Sequence, residues 1–198
     1  MLAVDTTSES GSIALVEDER VIEEVPLHSP DGFGHVLFAE IERLLSRHGI
    51  GLDRLDGFAA ASGPGSFTGV RIGLTAVKGL AEASGRKVVA VSNLEALASF
   101  GTRELRATVL DARRGEVYGA VYNAALELVR EEVVMKREAW LASLPQGDLE
   151  LIDAPRALAG AIGRIAALRF ARGAAQDPAE IDANYVRRSD AELMWKEV

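Results

Sequence analysis

The chain has 198 residues, enough for one domain of about 150 residues or for two small lobes sharing a core. With 48 % hydrophobic and 26 % charged residues it has ordinary globular composition, which excludes disorder over most of its length. It contains 0 Cys, which excludes disulfide frameworks, thiolate metal sites and a Cys nucleophile, and its net charge of −8 makes it a poor unaided binder of nucleic acid. The opening MLAVDTTSES lacks the basic and long apolar regions of a signal peptide, and no stretch approaches the ~20 apolar residues of a membrane span. The absence of Cys fits a reducing compartment, so a cytoplasmic location is expected.

Met1 to Val4 is short and apolar and ends at Asp5; Ser12 to Val16 and Arg20 to Leu27 follow across tight turns, so three antiparallel strands in a meander are expected. From Phe33 to His48 the spacing turns helical, with Leu37, Ile41 and Leu44 on one stripe, widened by Phe38 and Leu45. Asp31 is a candidate N-cap and Gly49 a candidate stop. Asp56 to Ser62 reads as a strand, Thr68 to Ser84 as a helix ended by Gly85, Lys87 to Val91 as a strand and Asn93 to Phe100 as a short helix. The second half repeats the order: strands at Ala107 to Asp111, Val117 to Tyr122 and Leu126 to Met135, a helix at Glu138 to Leu144, a strand at Leu149 to Ile152 and an Ala-rich helix at Arg156 to Arg172. MLAVDTTSESGSIALV and ATVLDARRGEVYGAVY align in element order, with Asp5 opposite Asp111. This tandem pattern predicts two stacked α/β lobes, 1–102 and 103–198, with a cleft between them.

The sharpest local feature is Gly63-Pro64-Gly65-Ser66-Phe67-Thr68-Gly69, a glycine loop between a strand and a helix. Backbone N–H groups at such a helix start can cradle an anion. The loop lacks the Lys of a phosphate-binding P-loop and the glycine spacing of a dinucleotide fingerprint. A tight turn capped by Ser66 or Thr68 explains it equally well. In the following helix Val70, Leu74, Val77 and Ala81 form one apolar stripe, and Ile72, Ala76, Gly79 and Ala83 a second. Arg71, Thr75, Lys78 and Glu82 form the polar stripe. Two apolar faces imply burial on both sides, against a partner or inside the fold, and Gly69 and Gly73 would let another backbone approach closely. Asp5 and Asp111 at strand ends are candidates for a hydrated metal ion and phosphates, or for plain turn chemistry. Thr6, Thr7, Ser8 and Ser10 beside Asp5 are phosphate-compatible; Arg113, Arg114, Arg187 and Arg188 could form a shared basic groove. The three His residues, His28, His35 and His48, have no metal-pair spacing, and no Ser–His–Asp set can be proposed.

The segments LAVDTTSESGSIAL, SGPGSFTGVRIGLTAVKGLA, VVAVSNLEALA and VLDARRGEVYGAVY resemble the TsaB (YeaZ-like) family; the close ANYVRRSDAE is a looser match, with Asn184 where Pro is usual. The resemblance implies an α/β, actin-like (ASKHA, ribonuclease H-like) duplicated two-lobed fold. It implies a part in placing threonylcarbamoyl on N6 of adenosine 37 in tRNAs that read codons beginning with A. In that pathway the paralogue TsaD is catalytic and TsaE is an ATPase partner. TsaB-like members act as non-catalytic subunits that dock TsaD through N-lobe helices and form homodimers alone, touching tRNA only through the complex.

The chain lacks the His-x-x-x-His pair of TsaD-like proteins and any Gly-Gly dipeptide of the kind that holds adenosine in related kinases. No firmly bound cofactor is therefore expected, with ATP or ADP and Mg belonging to the partner complex. The glycoprotease (M22) label carried by relatives is not expected to reflect activity. The expected docking residues are Leu37, Ile41, Leu44, Arg71, Leu74, Thr75 and Lys78; candidate nucleotide or phosphate contacts are Asp5, Thr6, Thr7, Gly65, Ser66 and Asp111. The alternative is an independent ATP-dependent phosphotransferase or ATPase using Asp5 and Asp111.

Overall fold

Strand β1 (Leu2–Asp5) is the centre from which the first lobe is built. It pairs antiparallel with β2 (Ser12–Glu17), which pairs antiparallel with β3 (Arg20–Pro26), and on its other side runs parallel to β4 (Gly57–Gly63), followed by β5 (Lys87–Ser92). The five-stranded sheet thus has the order β3-β2-β1-β4-β5. The computed structural model describes residues 1–9, 11–29, 31–153 and 156–187. Ser10, Arg188 and the tail residue Trp195 lie outside the described residues.

Alternation along these strands assigns the faces. Leu2, Val4, Ile13, Leu15, Phe58 and Ala60 point to one side and form a core with two helices, α1 (Leu37–Arg47) and α2 (Phe67–Ser84). Ala3, Ala14, Ala59 and Ala61 point to the other side, with Val16, Val89 and Val91. These small residues let α5 (Ala159–Ala171) lie close: a Cβ on Gly163 would stand 2.5 Å from Val16 Cγ2 and 3.2 Å from Ala3 Cβ. The last helix of the second half therefore covers the back of the first sheet, and the lobes are not cleanly divided at Gly101–Thr102–Arg103.

The second sheet has the order β8-β7-β6-β9, from β6 (Leu105–Asp111), β7 (Glu116–Asn123), β8 (Leu128–Lys136) and β9 (Leu149–Ile152). Ala107, Val109, Val117 and Val121 pack on Trp140 of α4 (Arg137–Ala142). The opposite face presents Tyr118, Ala120 and Tyr122 to Leu94 and Ala98 of α3 (Asn93–Ala98). Helix α3 is buried along its length because it also contributes Ala96 and Leu97 to the back of the first sheet. The observed elements follow the expected order in both halves. One start differs: a 3-10 turn at Phe33–His35 precedes α1, which begins at Leu37 with no side-chain cap from Asp31. Gly85, left-handed at φ 63°, ends α2.

Candidate functional site

The glycine loop closes onto the chain's own first turn. Ser66 caps α2, its Oγ accepting from Gly69 N at 3.3 Å, while Ser66 N donates to Thr7 O at 2.7 Å. Thr6 Oγ1 donates to Gly69 O at 2.7 Å. A Cβ on Gly65 would lie 2.6 Å from Thr7 O, and one on Gly73 2.7 Å from Thr6 Oγ1. Gly69 is approached closely by the Thr6–Thr7 backbone of the same chain, whereas Gly73 meets the Thr6 side chain.

Asp5, Thr6, Thr7, Gly65 and Ser66 are therefore brought together as a self-bonded turn. Asp5 Oδ1 accepts from Thr7 N at 2.9 Å, from Thr7 Oγ1 at 2.6 Å and from Asn93 Nδ2 at 3.4 Å. Asn93 Nδ2 also donates to Thr7 Oγ1 at 2.7 Å, and its Oδ1 accepts from Gly63 N at 3.0 Å. Asp5 Oδ2 is buried without a hydrogen-bond partner. Burial pushes the Asp5 carboxyl above the usual carboxylate range, against the lowering effect of the Thr7 and Asn93 hydrogen bonds.

These residues do not fit a nucleotide with magnesium. Such a group needs an ionised carboxylate facing open space and free N–H or O–H donors. Asp5, Thr6 and Thr7 are instead 0 %, 1 % and 3 % exposed, and both hydroxyls are engaged. Asp111, the matching residue of the second lobe, is exposed and its Oδ1 accepts from Arg113 N at 2.9 Å within its own turn. The expectation of phosphate contacts at Thr6 and Thr7 is corrected accordingly: Gly69 takes the Thr6 hydroxyl, and Asp5 and Asn93 take that of Thr7. The basic groove is altered too, since Arg187 pairs with Glu116, donates to Ala112 O at 2.9 Å and lies over the Tyr118 ring.

The docking residues expected from periodicity divide in two. Leu37, Ile41, Leu44 and Leu74 are core, 1 %, 3 %, 0 % and 5 % exposed, because their stripes are the ones that cover the sheet. Their side chains are corrected from outward-facing to inward-facing. Arg71 and Thr75 are exposed and Lys78 half-buried. The exposed apolar side chains are others: Phe38, which widens the Leu37–Ile41–Leu44 stripe, is 56 % exposed, and Phe67 is 42 % exposed. With Gly34, Arg71, Ile72 and Thr75 they border an open groove of about 450 Å³ between the 3-10 turn, α1 and the start of α2. Of the second apolar stripe of α2, Gly79 and Ala83 are exposed, Ile72 is half-buried and Ala76 is buried.

Beside the groove, residues from opposite ends of the chain meet across the lobes. Asn184 N donates to Ser62 O at 2.8 Å in the first lobe, and its Nδ2 donates to Glu132 Oε2 at 2.6 Å in the second. Glu132 also receives Ser92 Oγ, and Tyr122 OH at 2.8 Å. Burial, and then Glu132, push the Tyr122 hydroxyl far above its ordinary range, so it remains a neutral donor. Tyr185 stacks on Phe67 with centroids 5.2 Å apart, and its OH accepts from Arg71 Nε at 3.0 Å. None of these pairings carries a local signal; Asn184 and Glu132 are 52 residues apart.

Two sheets, each led by a β-meander, together with the helix order and a groove-bearing first lobe, define an α/β protein of the actin-like (ASKHA, ribonuclease H-like) duplicated class. A family model described as "TsaD: tRNA N6-adenosine threonylcarbamoyltransferase" matches residues 25–172. The tRNA threonylcarbamoyladenosine biosynthesis protein TsaB of Bacillus subtilis is 35 % identical over 153 residues, 75 % of this chain and 67 % of that protein. A solved structure from Pseudomonas aeruginosa, described as an uncharacterized protein with similarity to peptidase YEAZ, superposes with a TM-score of 0.80 at 28 % identity, covering 94 % of this chain and 98 % of that one. The tRNA N6-adenosine threonylcarbamoyltransferase of Novosphingobium aromaticivorans is 42 % identical over 71 residues, 36 % of this chain and 20 % of that protein. The chain belongs to the TsaB (YeaZ-like) family, within the wider group that the TsaD model describes. It spans about two thirds of the B. subtilis relative and about half of the Escherichia coli one. Among the described residues no helix is long and apolar enough to cross a membrane.

Proposed function

We propose that this chain serves tRNA threonylcarbamoyladenosine synthesis as a non-catalytic subunit that docks a TsaD-type paralogue through the groove between α1 and α2. The observation that carries this is the groove itself: Phe38 and Phe67 stand 56 % and 42 % exposed beside Ile72, with Arg71 and Thr75 at the rim. Exposed aromatics and an Arg around an apolar floor have the composition of a binding hot spot. The TsaD-type model covers both α1 and α2 of this chain, so the paralogue would bring its own version of the same helix pair. In this reading the face joins two copies of the chain when the paralogue is absent. The paralogue holds ATP or ADP and Mg, TsaE joins the assembled pair, and tRNA meets the chain only through the complex.

The first turn supports the non-catalytic reading: Thr6 Oγ1 and Thr7 O brace the glycine loop, and Asp5 is spent on Thr7. The test is a reconstituted transfer of threonylcarbamoyl to tRNA by TsaD of the same organism. The expected result is dependence on this chain, lost with Phe38→Glu and kept with Asp5→Asn. Undiminished transfer with Phe38→Glu would contradict the docking face, and loss of transfer by a folded Asp5→Asn chain would contradict the non-catalytic role.

A further inference from the structure

We infer that Tyr185 is a positioning residue of the docking face, contributed by the C-terminal segment, which sets Phe67 and Arg71 in the orientation a partner meets. The inference rests on the docking reading above and names a residue that α1 and α2 do not supply. Three contacts link Tyr185, Phe67 and Arg71 in a closed set, two of them made by Tyr185. Its ring stacks on Phe67 at 5.2 Å and an interplanar angle of 29°. The Arg71 guanidinium carbon lies 3.8 Å from the centroid of Phe67. Arg71 Nε donates to Tyr185 OH at 3.0 Å. Phe67 is the first residue of α2 and Arg71 follows one turn later, so both project from the helix start at the edge of the groove. An exposed Arg on its own samples many rotamers, and ordering it on binding costs affinity. Here the ring and hydroxyl of Tyr185 hold it beforehand.

Tyr185 can do this because the chain is anchored on both sides of it. Ile181 is 1 % exposed in the first-lobe core. Asn184 is tied to Ser62 of β4 and to Glu132 of β8. Arg187, two residues beyond Tyr185, is held by Glu116 of β7 and by Ala112 O. The segment is thus pinned to both lobes, and Tyr185 is the residue it presents toward α2, 45 % exposed. The occupant of the face is the paralogue that shares this helix pair, since the TsaD-type match runs through α1 and α2 and ends before Tyr185.

The test measures affinity for TsaD of the same organism by titration calorimetry, with the full chain carrying Tyr185→Ala, Tyr185→Phe, Arg71→Ala or the Tyr185→Ala/Arg71→Ala pair, and Phe38→Glu as the control for the face. The expected result is a loss of about tenfold for Tyr185→Ala at unchanged melting temperature, with Tyr185→Phe recovering most of it through the retained ring. The double variant should lose less than the sum of the two singles, because Tyr185 acts in part through Arg71. If Phe38→Glu abolishes binding while Tyr185→Ala leaves it unchanged, the inference is overturned and the docking reading stands. Additive losses in the double variant, or an effect of Tyr185→Ala that tracks a fallen melting temperature, also overturn it. If Phe38→Glu itself binds as the parent does, the docking reading fails and the inference goes with it.

Discussion

Gly69 packs backbone to backbone against Thr6: a Cβ at position 69 would overlap the Thr6 carbonyl oxygen. Neither side can yield, since Thr6 continues from the central strand β1 and Gly69 is held in the first turn of α2 by Ser66 and by the Thr6 hydroxyl. Gly69→Ala should cost at least about 3 kcal/mol, beyond ordinary overpacking. Gly73→Ala meets only the Thr6 hydroxyl, 2.7 Å away, and should cost less. Urea denaturation measures both, and a Gly69→Ala chain within about 0.5 kcal/mol of the parent would refute the backbone contact.

The buried Asp5 makes a pH prediction. Its carboxyl is raised by burial above the unfolded value of about 3.9. Below that pH the group is protonated in both states. As pH rises the unfolded chain releases its proton first, so the folded state binds more protons and stability falls until the folded-state value is passed. Asp5→Asn keeps the Oδ1 acceptor for Thr7 and removes the titration. As pH rises above about 4 the stability difference should move in favour of Asp5→Asn; a difference that stays flat or moves the other way would contradict the assignment.

Glu95 lies 8 % exposed on α3 and is met by Arg169 Nη2 at 2.6 and 2.7 Å from α5. Burial raises its carboxyl and Arg169 opposes the rise. Arg169→Met leaves a buried carboxylate unpaired and removes the donor to Ala90 O. The cost should be about 2 kcal/mol, discounted because the Arg169 side chain is 35 % exposed. The Glu95→Gln/Arg169→Met pair should recover part of it, and equal losses for the single and double variants would show that charge is not the cause.

Asn184→Ala removes the bond to Glu132 that links the C-terminal segment to β8. Stability should fall by about 1 kcal/mol. Amide exchange should quicken at Asn184 and Tyr185 and stay unchanged in β1, because the lost bond runs to β8 and not to the first sheet. Unchanged exchange at Tyr185 would mean that the Asn184 side chain does not pin it, leaving Asn184 N on Ser62 and Arg187 to do so.

Both meanders and the strand–loop–helix at Gly63 to Gly69 were legible in the sequence because their signals are local: alternation, turn residues and helical spacing. The surface was not legible. An amphipathic helix shows its apolar stripe whether that stripe meets a sheet or a partner, so Leu37, Ile41, Leu44 and Leu74 could be taken for a docking face although the first sheet claims them. Phe38 differs from its buried neighbour Leu37 only in its angle around α1, which the sequence expresses too weakly to separate them. The glycines at 69 and 73 announced a close approach without saying to what, and the answer lay far upstream in Thr6, 63 residues before Gly69. The meeting of Asn184 with Glu132, and of Tyr185 with Arg71, depends on both lobes being folded and has no counterpart in any short window.

The most direct test of the docking face is light scattering after size exclusion, on the chain alone and mixed with TsaD of the same organism, with and without Phe38→Glu. The account predicts that the parent chain forms a heterodimer in place of its homodimer, and that the Phe38→Glu chain, melting as the parent does, forms neither. A Phe38→Glu chain that still assembles with TsaD, or a parent chain that stays a homodimer in its presence, would contradict it.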